Sequence, residues 1–246
     1  MRVAVISDIH ANRPALEAVL AAIEGAGVEE TWFLGDLVGY GAEPDRCTEI
    51  VRERCHVSLS GNHDLAVLGE IDVATFSTSA AAAVEWTQSV ASEETLSFLR
   101  GLSPHGSRAE VGLFHASPRD PVWEYVLSLD QAEAGLDAME ERVGLIGHSH
   151  VALFFTRPAA KRPTYAHGAQ AGDGASVELS TGRWLLNPGS VGQPRDGDSR
   201  AGWLQLDTET WAARYHRVPY DIDAAARAIL DAGLPSPLAE RLRVGR

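Results

Sequence analysis

Apolar residues along the first 150 positions come in short runs, and five of these runs stop at a side chain able to bind a metal. Val3-Ala4-Val5-Ile6 ends at Ser7-Asp8-Ile9-His10, a carboxylate and an imidazole two residues apart. Four apolar residues fit a buried strand, although a run this short does not exclude helix by pattern alone. The same order then returns. Trp32-Phe33-Leu34 runs into Gly35-Asp36, and His56 to Ser60 into Gly61-Asn62-His63-Asp64. Val111 to Phe114 runs into His115, and Val143 to Ile146 into Gly147-His148-Ser149-His150. Between the first two runs, Leu16, Val19, Leu20 and Ile23 recur at helical spacing. Asn12 stands at the N-cap with Pro14 in the first turn, and Gly25 and Gly27 close the helix. This predicts a βαβ unit with a right-handed crossover.

Further helices are predicted from Pro44 to about Arg54, with Cys47, Ile50 and Val51 inward, and from Ser128 or Asp130 to about Arg142. Ala74 to Leu102 reads as two helices covering one sheet face, the second starting at Ser92. After His150 the pattern changes to short strands split by Gly, Pro and Asp. They fall at Val151 to Phe155, Thr164 to His167, Ser176 to Leu179, Trp184 to Asn187, Trp203 to Asp207 and Ala212 to Val218. These are expected to form hairpins completing a second sheet. Asp221 to Gly233 and Leu238 to Arg243 read as terminal helices. The fold class is α/β: a four-layer sandwich of two packed mixed β-sheets flanked by α-helices, expected as a single domain over residues 1–246.

Composition narrows the partners. The chain has 34 acidic and 21 basic residues, a formal charge of −13. So negative a protein repels long nucleic acid and anionic membrane surfaces. No apolar run reaches the ~18 residues of a membrane span, and nothing at the N-terminus reads as a signal peptide. Cys47 and Cys55 fit no metal or redox spacing and read as small apolar residues. A soluble cytoplasmic protein is expected.

In open α/β sheets, ligands collect outside the carboxyl ends of strands. Five such ends would bring Asp8, His10, Asp36, Asn62, His63, His115, His148 and His150 to one crevice. His148 and His150 would point to the same side of an extended chain. The ordered set D-x-H, G-D, G-N-H-D, H and G-H-S-H resembles the calcineurin-like metallophosphoesterase superfamily, in its prokaryotic small phosphodiesterase branch. Asn187-Pro188-Gly189-Ser190 and the Gly-rich stretch Gly35 to Gly41 are similar to segments of that branch.

The resemblance implies a dinuclear site. Asp8, His10 and His150 complete one metal with Asp36, and Asn62, His115 and His148 complete the other. Asp36 bridges, since a carboxylate has two oxygens and charge to offset two cations. The mixed O/N donor set without thiolate suits manganese, iron, zinc, cobalt or nickel, and of these manganese is expected. The implied reaction is phosphodiester cleavage by a metal-bridging hydroxide, with His63 as general acid. Arg119 and Arg195 are candidate contacts to a small phosphorylated substrate, and Trp123 and Tyr125 are candidate platforms for a base.

One departure stands out. Many members carry G-D-x-x-D, whose second Asp orients the catalytic His, and here that position is Gly39. Asp64 or another group would have to take over. Alternatives are a phosphomonoesterase or dinucleoside tetraphosphatase on the same site. From a different class comes a non-catalytic metal-binding scaffold, as in the superfamily's retromer subunit. His56, His105, His167 and His216 match no motif, although His167 is expected in a loop within reach of the site.

Overall fold

The computed structural model describes residues 1–160 and 164–246, and its twelve described strands divide equally between two sheets. The first sheet takes β1 (Arg2–Ile6), β2 (Glu30–Phe33) and β3 (Val57–Ser58), and the second takes β4 (His105–Arg108), β5 (Val111–Phe114) and β6 (Val143–Leu145). The later strands do not stay together. β7 (Ala152–Arg157), β8 (His167–Gln170) and β10 (Arg183–Pro188) join the second sheet. β9 (Ser176–Glu178), β11 (Ala201–Asp207) and β12 (Ala212–Val218) return to the first. The expected grouping of all late strands in one sheet is therefore corrected. Hydrophobic alternation says which face of a strand is buried, but not which strand lies beside it. β1 is flanked on both sides, parallel to β2 and antiparallel to β11.

The two faces of the first sheet explain the continuous apolar runs. Val3 and Val5 point between the sheets with Trp32, Leu34, Leu204 and Leu206, against Leu113, Val143, Leu145 and Leu186 of the second sheet. Ala4, Ile6 and Phe33 point the other way, onto α1 (Arg13–Glu24) and α2 (Pro44–Arg54). Residues two apart share a face, so both faces being covered leaves no polar position. Each fully buried side chain of this layer is worth about 1.5–3 kcal/mol. Tyr215 spans the layer, its hydroxyl donating to the Leu153 carbonyl at 2.8 Å. On the far side of the second sheet, α6 (Leu129–Ala138) buries Ala132 and Leu136 against Leu153, Phe155 and Leu185. The layers run helix, sheet, sheet, helix.

Local chemistry sets several boundaries. Asn12 accepts from the Ala15 N–H at 3.2 Å, capping α1. The run before Gly61 forms only the short β3, and Asn62, His63 and Asp64 open a helix, α3 (Asn62–Val67), rather than a strand-end loop. α4 (Thr78–Val90) and α5 (Glu93–Arg100) follow, with Ser77 and Ser92 as N-caps. α7 (Ile222–Asp231) and α8 (Ser236–Leu242) pack Ile229, Leu238, Ala239 and Leu242 with Ala80 and Ala83 of α4. The predicted strand at Thr164 begins only at His167, which is exposed on edge strand β8 and does not reach the crevice. Among the described residues, no helix is long and apolar enough to cross a membrane.

Candidate metal centre

The polar residues that follow β1, β2 and β6 are held in an uncommon backbone form. Asp8, His10, Asp36, His148 and His150 all have φ between +49° and +61°. For non-glycine residues this left-handed region costs roughly 1–2 kcal/mol each, and such strain concentrates at functional segments. The loops hold one another in place. Asp8 N donates to Gly35 O and His10 N to Asp36 O, each at 3.0 Å, zipping the first loop to the second. Asp8 in turn accepts from His148 N at 3.1 Å, joining the first sheet's loop to the second sheet's. The crevice thus lies where strand ends of both sheets meet, not along one open sheet.

Asp8, His10, Asp36 and His150 each offer one donor atom within 4.8 Å of the others, and Asp36, His115 and His148 form a second such group. Asp36 belongs to both. Its Oδ2 lies 3.5 Å from His10 Nε2 and 3.6 Å from His115 Nε2, buried and without a hydrogen-bond partner. Asn62 joins the second group through Oδ1, 3.2 Å from His115 Nε2. All seven expected ligands are therefore in one cluster.

The tautomers follow from the backbone. Nδ1 of His10, His115 and His150 face the carbonyls of Val38, Leu34 and Gln193 at 3.0, 2.9 and 2.6 Å. A carbonyl only accepts, so each Nδ1 carries the hydrogen and each neutral Nε2 presents a lone pair. His10 Nε2 and His150 Nε2 are nevertheless 3.1 Å apart, lone pair toward lone pair. His115 Nε2 faces the Asn62 oxygen in the same way. Acceptors converging on one another with no donor between them fit cations. Burial reinforces the point. It pushes the Asp8 carboxyl up to about 7 and Asp36 well above the carboxylate range, while holding His10, His148 and His150 well below the histidine range. Nearby divalent charge would reverse the carboxyl shifts. The donor set fits two metal ions.

Two supports hold this arrangement. Asn187, fully buried, donates through Nδ2 to Gly147 O at 2.6 Å and to Ser149 Oγ at 3.1 Å, stapling the His148–His150 loop. Ser190 Oγ donates to Asp8 O at 2.8 Å. Gly61 packs so closely on Asp36 that a Cβ there would overlap its carboxylate.

His63 sits beside this cluster, its main-chain N–H donating to Asp36 Oδ1 at 2.9 Å. Asp64 does not orient its ring. The Asp64 carboxylate is taken up by the backbone N–H groups of Leu37, Val38 and Gly61 at 2.9–3.1 Å. His63 Nδ1 is buried without a partner. The ring is held by other rings: Tyr40, His10 and Phe76 lie at 4.4, 4.8 and 4.9 Å between centroids. Burial holds this imidazole well below the histidine range.

A cavity of about 400 Å³ opens over the cluster, lined among others by Asp36, Asn62, His63, His148 and His150. Trp123, Tyr125 and Arg195 also line it, and Tyr125 stacks on His148 at 4.2 Å. Arg119 is absent from the lining, its guanidinium paired with Glu124. Arg241 lines the cavity instead. It sits among polar residues near the chain's end, and no motif marked it.

The model of the calcineurin-like phosphoesterase superfamily domain matches residues 1–210. The chain belongs to that superfamily. Membership makes it a phosphoester-hydrolysing enzyme of a family that uses divalent metals. The superfamily match spans every residue of the cluster and leaves out α7, α8 and Arg241. Among relatives, the chain is 36% identical over 251 residues to the uncharacterized protein MJ0912 of Methanocaldococcus jannaschii, covering 99% of this chain and 98% of that one. The crystal structure of a metallophosphoesterase from Sphaerobacter thermophilus is 37% identical, with a TM-score of 0.88 over 100% of this chain and 99% of the other. The hypothetical protein PH1004 of Pyrococcus horikoshii, 20% identical with a TM-score of 0.77 over 100% and 98% of the two chains, shares the phosphoesterase's fold.

Proposed function

We propose that this phosphoesterase is a dinuclear metallohydrolase cleaving phosphodiesters in small substrates. The observation that carries this is Asp36 Oδ2: buried, without a hydrogen bond, and shared by two groups of donors. In this reading Asp8, His10, Asp36 and His150 hold one ion and Asp36, Asn62, His115 and His148 the other. Manganese is the expected metal, and a donor set without thiolate also suits iron, zinc, cobalt or nickel. Two bound ions would supply an acidified water and positive charge for the phosphoryl oxygens.

The remaining work falls to the chain's own groups. The Val38, Leu34 and Gln193 carbonyls fix three imidazoles with Nε2 inward. Arg195, lining the cavity with a buried, unpartnered Nε, would bind a phosphate oxygen of the substrate. His63 would pass a proton to the leaving oxygen through Nε2, because Nδ1 is shut against Gly39. Without a carboxylate on Nδ1, the substrate's own negative charge must favour the imidazolium. That suits esters whose leaving group needs little help. Residues 1–246 act as one domain in this reading, and the protein works in the cytoplasm.

The test is to strip the protein with chelator and add back manganese, zinc, iron, cobalt or nickel singly. Bis-p-nitrophenyl phosphate and p-nitrophenyl phosphate are then compared. Metal-restored cleavage with the diester preferred, lost in Asp36→Asn, is the expected result. Tight binding of two metals with neither ester cleaved would favour the scaffold alternative.

A further inference from the structure

We propose that Arg195 and Arg241 form a subsite for a second phosphate on the substrate, remote from the phosphoryl group that is cleaved. The proposal deepens the phosphodiesterase reading and rests on it for the identity of the cleaved bond.

Both guanidinium groups line the cavity over the cluster. They flank one ring, Arg195 Cζ lying 5.6 Å and Arg241 Cζ 6.0 Å from the centroid of Tyr40. Neither meets an Asp or Glu side chain among the described residues. Arg195 donates to Tyr40 Oη at 3.2 Å and to Gln193 Oε1 at 2.9 Å, and Arg241 donates at 2.7 Å to the main-chain oxygen of Arg246, which belongs to the terminal carboxylate of this sequence. Two like charges beside one cavity repel one another, and an anion bound between them would relieve that repulsion. Burial and the neighbouring Arg195 accordingly hold Arg241 below the usual arginine range. In a chain of net charge −13, two neighbouring arginines without an Asp or Glu side chain are a local exception.

A third positive element faces the same space. Ser77, the N-cap of α4, and Ala80 in its first turn line the cavity, and that first turn carries no acidic residue to offset the helix's positive end. Helix α8 brings Arg241 to this point by packing Leu238, Ala239 and Leu242 with Ala80 and Ala83 of α4. Guanidinium forks match phosphate oxygens in pairs. The substrate class is therefore a small phosphodiester that also carries a phosphomonoester, and the cavity's volume holds such a molecule.

Two measurements on the whole chain test this. In chelator, thymidine 5′-monophosphate is titrated calorimetrically against wild type, Arg241→Gln, Arg195→Gln and Arg241→Lys, with melting curves to verify folding. Binding is expected to weaken about tenfold or more in each Gln variant and less in the Lys variant, as for loss of a charged hydrogen bond. Equal binding by folded Gln variants would overturn the subsite. With metal restored, the p-nitrophenyl ester of thymidine 5′-phosphate is compared with its 3′-phosphorylated form. Wild type is expected to favour the latter about tenfold through KM, and Arg241→Gln to bring that ratio close to one. An unchanged ratio in the variant counts against the proposal. If neither ester is cleaved by any protein, the phosphodiesterase reading fails, and the chelator titration alone decides the subsite.

Discussion

The backbone of Gly39 lies against the ring of His63 so closely that a Cβ at Gly39 would fall on Nδ1. The carboxylate expected two residues beyond Leu37 has no room, because its place is filled by the histidine itself. Gly39 also has φ +84°, a conformation that side chains rarely adopt. What fixes His63 is contact with Tyr40, His10 and Phe76 rather than a hydrogen bond.

Restoring the common motif should therefore harm this protein. Gly39→Asp is expected to cost about 1–3 kcal/mol in stability from the strained backbone alone, and to reduce diester cleavage by displacing His63. Thermal melting and turnover of a phosphodiester with an alkyl leaving group check both. A variant as stable as wild type and more active would mean the loop relaxes freely.

His63→Ala should separate substrates by leaving group. A general acid contributes roughly 10²–10⁴-fold where the departing oxygen needs a proton. The loss is expected to be of that order on alkyl esters and much smaller on nitrophenyl esters, with metal content unchanged by elemental analysis. Equal losses on both would remove His63 from the acid role.

Asp64→Asn distinguishes a structural carboxylate from an orienting one. Asp64 accepts from three backbone N–H groups on two loops. Charged hydrogen bonds are worth about 1.5–3 kcal/mol each, so the variant is expected to lose more stability than His63→Ala. Its dependence on leaving group should match wild type. A dependence like that of His63→Ala would show that Asp64 acts through the histidine.

Metal removal should lower stability as well as activity. Acceptors that face one another, such as His10 Nε2 and His150 Nε2, lose their reason for proximity without a cation. At a free metal concentration 100 times Kd, binding adds about 2.7 kcal/mol. The melting temperature is expected to fall in chelator for wild type but not for Asp36→Asn. A chelator-insensitive wild type would count against the metal assignment.

Asn187→Ala tests the support behind the ligands. Loss of the staple to Gly147 and Ser149 is expected to weaken metal binding about 10–100-fold, as for other outer partners of metal ligands. Titration calorimetry with manganese checks this, and unaltered affinity would make Asn187 only a packing residue.

The convergence of the polar strand ends was legible because ligand-type residues follow apolar runs in the same local order each time. Asp8, Asp36 and His148 could be seen to end strands without knowing which sheet held them. Strand partnership was not legible. β1 and β11 pair across some 200 residues, and alternation carries no address. β4 was invisible because His105-Gly106-Ser107-Arg108 is exposed at every position, and its two-residue turn uses Ala109 and Glu110 at positive φ where Gly or Asn is usual. Arg241 could not be found because its role depends on where α8 docks. Arg119 misled because a phosphate-binding residue type on the His115 loop can equally pair with Glu124 five residues away.

The pairing of β1 with β11 has a consequence for synthesis. β1, made before residues 201–207, must wait for them before its second edge is covered. Until then Asp8 and His10 stand on an unfinished sheet, and the loop holding His150 lacks its Gln193 carbonyl. A nascent chain halted near residue 160 would carry all seven expected ligands in its sequence but lack β11 and the Gln193 carbonyl that hold two of their loops. Two metals of the kind proposed would thus find their donors assembled only once residues beyond 200 have joined the first sheet.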